Sequence, residues 1–203
     1  MKEESQGLVD VGKMILSFAK VNRVTLHEDG ETFESDTDHT VMVAVCACAL
    51  ASKLHPALDV GKVAQFAIIH DLVEVYAGDT NTFNITSEDR HKKEEREQLA
   101  YERIKKEFQN VYPWIPETIE EYESLLSDEA QFVKAVDKLM TKLTHRINRG
   151  AYLRKESVTQ EETERHYGSQ TAVIEEKYGK KFPEIVTLLK VLTREIIEEV
   201  YGK

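Results

Sequence analysis

Proline and glycine are scarce in this sequence, at 4 and 9 of 203 residues. So few turn formers exclude collagen-like, mucin-like and largely disordered chains. Cysteine is rarer: Cys46 and Cys48 are the only two, spaced two apart in an apolar run. On a helix they point in different directions, so no mutual disulfide is expected and the chain reads as reduced and cytoplasmic. Long hydrophobic runs are also missing. The longest, Val41 to Ala51, is far short of the roughly 20 residues of a membrane span. The opening MKEESQG lacks the basic-then-apolar order of a signal peptide. Positive charge is in deficit, with 27 Lys and Arg against 37 Asp and Glu and a net charge of -10. Such a surface repels nucleic-acid backbones and anionic membranes, so neither is an expected partner. A local basic pocket can still bind a small anion.

What remains is 41% hydrophobic and 32% charged, enough for a core, and its periodicity is helical throughout. Leu8, Val11, Ile15 and Phe18 mark an amphipathic first helix. A polar stretch from Thr25 to Asp38 follows, with Asp29-Gly30 as a turn signal. The second helix runs from about Thr37 to Leu54, and its nearly all-apolar interior predicts a place in the middle of the bundle. A third is expected from Val60 to Ala77, capped by Gly78, then a loop from Asp79 to Ile85. A charged helix spans about Glu88 to Phe108. After the aromatic break Tyr112-Pro113-Trp114-Ile115-Pro116, suited to a domain edge or subunit contact, come Glu117 to Leu126, Ser127 to Asn148, Thr159 to Tyr178 and Pro183 to Val200. No alternating strand pattern, repeat or linker stands out. The expectation is one all-α domain over residues 1–203, its site within about 20–150 and helices 158–200 packed on it.

Chemistry concentrates at three places. His70-Asp71 ends a buried helix face, and Glu74, four and three residues on, stands one turn further beside the same centre. Carboxylates buried there need an ion or a basic residue to compensate. His39 opens the most apolar helix, and Asp137 borders the Val133/Val136/Met140 core stripe. Taken alone, His39 also suits a hydrogen-bonded core histidine, and Asp137 a salt bridge with a lysine such as Lys134. Together His39, His70, Asp71 and Asp137 supply two imidazoles and two carboxylates. That mixed set suits one divalent Mn, Co, Ni, Zn or Fe ion, provided helix packing brings the four together. His27, His55 and His91 read as loop or surface residues; His145, two turns beyond Asp137, reads as a surface residue or, less favoured, as one that backs the metal ligands; His166 sits in a charged helix.

The chain resembles the HD-domain metal-dependent phosphohydrolases, whose signature is a histidine, a His-Asp pair and a distant aspartate. Glu34-Ser35-Asp36-Thr37-Asp38-His39, His70-Asp71-Leu72-Val73-Glu74-Val75-Tyr76-Ala77-Gly78-Asp79-Thr80 and Asp137-Lys138-Leu139 look like the motifs of the small 5'-deoxynucleotidase-like branch. The resemblance implies a helical HD-domain bundle with His39, His70, Asp71 and Asp137 as metal ligands. It also implies that Arg23 holds the substrate phosphate and that Glu74 and Asp79 form the acidic catalytic pair. Asp79 would bind a sugar hydroxyl or protonate the leaving oxygen. Lys138, beside Asp137, is read either as a second phosphate contact or as a solvent-facing lysine. Many relatives keep a tryptophan or other bulky group close to the arginine; here Val21, Asn22, Val24 and Thr25 surround it. The implied activity is release of phosphate from (deoxy)nucleoside 5'-monophosphates, and the implied assembly is a homodimer. A triphosphate or other phosphoester hydrolase, and a non-catalytic nucleotide-binding module, are the competing readings.

Overall fold

The computed structural model describes residues 1–83 and 85–202. Helices dominate, as expected: α1 (Lys2–Phe18), α2 (Asp36–Leu54), α3 (Val60–Ile69), α4 (Glu74–Ala77), α5 (Ser87–Phe108), α6 (Trp114–Ser124), α7 (Asp128–Ile147), α8 (Ala151–Lys155), α9 (Gln160–Tyr178) and α10 (Pro183–Tyr201). The expected loop from Asp79 to Ile85 includes Asn84, which lies outside the described residues.

The expectation of no strands is corrected by a small antiparallel hairpin, β1 (Asn22–Leu26) and β2 (Phe33–Ser35), with an irregular register between its ends. Its strands are too short to display alternation. Local bonds hold it instead: Asp29 accepts from the backbone N–H of Glu31 and Thr32, and the Thr25 hydroxyl donates to Glu34 across the strands at 2.5 Å. Gly30 supplies the positive φ of 72° that the turn needs.

The hairpin delivers the chain directly into α2. Ser35 and Asp38 form a reciprocal capping box there, with Ser35 N–H on Asp38 Oδ2 at 3.0 Å and Asp38 N–H on Ser35 Oγ at 3.2 Å. His39 therefore sits in the first turn of a firmly started helix. Val43, Ala47 and Ala51 of α2 and Phe132, Val133 and Val136 of α7 are buried in one core with α3 and α6 residues. The all-apolar reading of α2 overreached: Val41 and Val45 are 57% and 65% exposed, on a face turned away from the core that buries Val43 and Ala47.

A second correction concerns the long third helix. The chain leaves α-helical bonding after Ile69, and Leu72 N–H reaches back only to Ile69 O, Glu74 to Asp71 O and Tyr76 to Val73 O. The segment His70–Val73 is thus wound at the tighter three-residue spacing, which places Asp71 and Glu74 on one side. Gly78, at φ 73°, then ends α4 with its N–H on Glu74 O at 2.8 Å. Beyond α7, Asn148 Oδ1 accepts from the N–H of Gly150 and Ala151 and starts the short, unforeseen α8. The thiols of Cys46 and Cys48 are free and half-buried. Among the described residues, no helix is long and apolar enough to cross a membrane.

Candidate metal centre

The four residues singled out in the sequence come together. One donor atom from each of His39, His70, Asp71 and Asp137 lies within 4.8 Å of all the others. His39 Nε2 is 3.1 Å from Asp137 Oδ1 and 3.8 Å from Asp71 Oδ2; His70 Nε2 is 3.2 Å from Asp71 Oδ2 and 3.8 Å from Asp137 Oδ1. Imidazoles and carboxylates thus alternate around a ring. Adjacent donors at roughly 2.1 Å from one ion lie about 3 Å apart, so the ring fits a small divalent ion after slight contraction.

The outer nitrogens explain why the inner ones face the ring. His70 Nδ1 lies 2.8 Å from Ala67 O, a pure acceptor, so Nδ1 carries a proton and the ring is held with Nε2 toward the carboxylates. That Nε2 is buried and has no hydrogen-bond partner among the described residues. His39 Nδ1 meets Glu34 Oε1 at 3.3 Å, and Glu34 is itself tied to Thr25. Burial draws the His39 imidazolium down, but hydrogen bonds to Asp137 and Glu34 override it and raise it to about 9. Burial raises the Asp71 carboxyl, yet His70 and Arg23 hold it well below the usual range.

Beside the ring lies a second acidic group, Asp36, Glu74 and Asp79, organised by Arg23. Its Nη1 is 3.1 Å from Asp36, 3.0 Å from Asp71, and 3.7 Å from both Glu74 and Asp79. Burial, then the charges of Asp71, Asp79 and Asp36, push the Glu74 carboxyl well above the ordinary range. Burial likewise lifts Asp36 to about 6. Lys93 Nζ approaches Glu74 at 3.4 Å from the far wall. Lys138 Nζ binds Asp137 Oδ2 at 2.7 Å, with its side chain 40% exposed.

All eight expected site residues except the buried His39 line one cavity of about 650 Å³. Asp36, Glu34 and Lys93 were not foreseen. The first two stood inside the motif that places His39, but acidic residues are too common for that to single them out. Lys93 belongs to a helix of alternating charges, where nothing local distinguishes it. His145 was misread as a surface residue: it is 2% exposed, because the surface side of α7 there is covered by α9.

A fold of helices around a His/Asp ring defines a metal-site hydrolase architecture. The HD-domain model matches residues 18–180, and the chain belongs to the HD-domain family. By class it is a metal-dependent phosphohydrolase with a divalent cofactor. It is similar to the 5'-deoxynucleotidase HDDC2 of Mus musculus, 30% identical over 139 residues that cover 65% of each chain. The Xenopus laevis protein of the same name is 28% identical over 199 residues, covering 91% of this chain and 88% of that one. A crystal structure from Magnetospirillum magnetotacticum, described as a predicted metal-dependent phosphohydrolase, shares the fold with TM-score 0.75 and 24% identity, covering 97% and 96% of the two chains.

Proposed function

We propose that the protein hydrolyses (deoxy)nucleoside 5'-monophosphates to nucleoside and phosphate, with His39, His70, Asp71 and Asp137 holding one divalent ion. The observation that carries this reading is the alternating donor ring beside Arg23, in a cavity whose volume suits a nucleotide. The curated relatives named 5'-deoxynucleotidase support the substrate class.

A bound divalent ion would lower the pKa of water and offset charge on the phosphoryl oxygens. The protein supplies the rest. Arg23 meets Asp36, Asp71, Glu74 and Asp79 through Nη1, and its other guanidinium donors would fork onto the phosphate. Lys138, at the cavity wall, adds a second positive charge. Glu74 takes the proton of the attacking water; its raised carboxyl makes it a stronger base than an exposed glutamate. Asp79, on the loop just beyond α4, accepts from a sugar hydroxyl. In this reading two copies pair into a homodimer, which sedimentation checks.

The test is a panel of ribo- and deoxynucleoside mono- and triphosphates with Mn²⁺ or Co²⁺, scored for free phosphate. Monophosphate cleavage abolished by chelation and by His70→Ala supports the reading. Turnover of triphosphates alone, or activity that survives both treatments, overturns it. Glu74→Gln should keep its metal affinity and lose about 10²- to 10⁴-fold in kcat, by steady-state kinetics.

A further inference from the structure

The cavity continues well past the donor ring. From α7 it is lined by Asp137, Lys138, Thr141 and His145, a stripe that carries it about 12 Å along the helix axis. That is the length a nucleoside spans beyond its phosphate. The two ends of the cavity differ in kind. Toward α5 and α6 the walls are charged, with Lys93, Glu97, Glu120, Glu123 and Lys134. Toward α9 they are aromatic.

At the aromatic end the His145 and Tyr152 rings lie parallel within 10°, with centroids 5.8 Å apart. The Phe83 ring lies over His166 at 4.2 Å, tilted by 31°, and meets Tyr152 edge-on at 6.3 Å and 62°. The polar groups there form an ordered relay. The buried Lys142 donates to Gln170 Oε1 at 3.0 Å, which fixes the amide, and Gln170 Nε2 sits 3.1 Å from His166 Nε2. One amide N–H meets His166, and among the described residues the other has no partner. His145 Nδ1 is bonded to the Tyr167 hydroxyl, while its Nε2 is buried with no partner among the described residues. Burial keeps this imidazole neutral, drawn down to about 4. A buried polar atom without a partner is costly and marks a place where a ligand atom fits. A flat heterocycle would gain stacking at this end, whereas against the charged end it would strip water from ions and offer nothing back.

We propose that this aromatic end is the nucleobase subsite, with Phe83 and Tyr152 as its aromatic walls, set edge to face, and His145 Nε2 and the second Gln170 N–H reading the base edge. The ligand is a nucleotide, so the inference rests on the phosphomonoesterase reading above, but the subsite can be tested apart from it.

Two variants probe it. Phe83→Ala removes a wall from a loop. Gln170→Glu keeps an acceptor for Lys142 but removes the amide donors. For each, kcat/KM is measured on a deoxynucleoside 5'-monophosphate and on 2-deoxyribose 5-phosphate, which lacks a base. The ratio of the two should fall about tenfold in Phe83→Ala, mostly through KM, and fall again in Gln170→Glu. An unchanged ratio in both variants overturns the subsite. If the wild type cleaves no phosphomonoester, the parent reading fails, and calorimetric binding of deoxyadenosine and thymidine decides the subsite alone. Binding about tenfold weaker in Phe83→Ala supports it; equal binding, or none by the wild type, overturns it.

Discussion

Arg23 lies within 3.7 Å of four carboxylates, those of Asp36, Asp71, Glu74 and Asp79, and among the described residues no other cation comes as close to all of them. Removing it leaves those charges facing one another in a poorly hydrated site. Arg23→Ala should therefore cost about 3–5 kcal/mol at pH 8, by urea unfolding. The pH dependence has a definite sign. Asp36, Glu74 and Asp79 have folded pKa values above their ordinary ones, and loss of the arginine raises them further. As pH falls toward 5 they take up protons in the folded state and repulsion fades. The deficit of Arg23→Ala must shrink between pH 8 and pH 5; a deficit independent of pH would mean that Arg23 acts through packing. In the sequence Arg23 was legible only through its motif, because an arginine in a polar stretch has no local mark of a partner 48 residues away such as Asp71.

At the scale of elements, two helices bear on the site in different ways. The Ser35/Asp38 box fixes the first turn of α2, from which His39 projects. Ser35→Ala should cost about 1 kcal/mol of stability, and because the frayed turn carries a donor of the ring, it should also weaken metal binding in a titration. On α7, Lys142 is fully buried against the Tyr167 ring and bonded to Gln170. Burial, then the charge of Lys138, draws it down to about 7. Its folded pKa thus lies below its ordinary 10.5, so between those values the unfolded chain binds the extra proton and stability rises with pH. Lys142→Met removes that dependence. Its thermal stability should exceed the wild type's by on the order of a few kcal/mol at pH 7 and below, and the gap should close toward pH 10. Most helices were readable from periodicity and caps, including the Thr159/Glu162 box of α9. The break after Ile69 was not, since its residues suit a helix and only the change of backbone partner winds them tighter.

For the whole molecule, the ring joins three parts of the fold: the start of α2, the turn after α3 and the middle of α7. A ligand that binds all three only in the folded state stabilises the fold by linkage, about 2.7 kcal/mol at a hundredfold excess over Kd. Mn²⁺ or Co²⁺ should raise the melting temperature of the wild type by several degrees in differential scanning calorimetry and leave Asp137→Ala unmoved. An equal rise in both would place the ion elsewhere on this acidic chain, whose net charge of -10 attracts cations weakly over its surface.

The sequence by itself determined the helical class, the positions of most helices and the identity of the ring residues, because periodicity, caps and the His-Asp motif are local patterns. Tertiary structure alone decided that His39, His70, Asp71 and Asp137 converge, that Arg23 gathers the acidic residues, that His145 is buried, and that one end of the cavity is aromatic. Those properties belong to side chains brought together across α2, α7 and α9, and no spacing along a single helix encodes which neighbour will cover it.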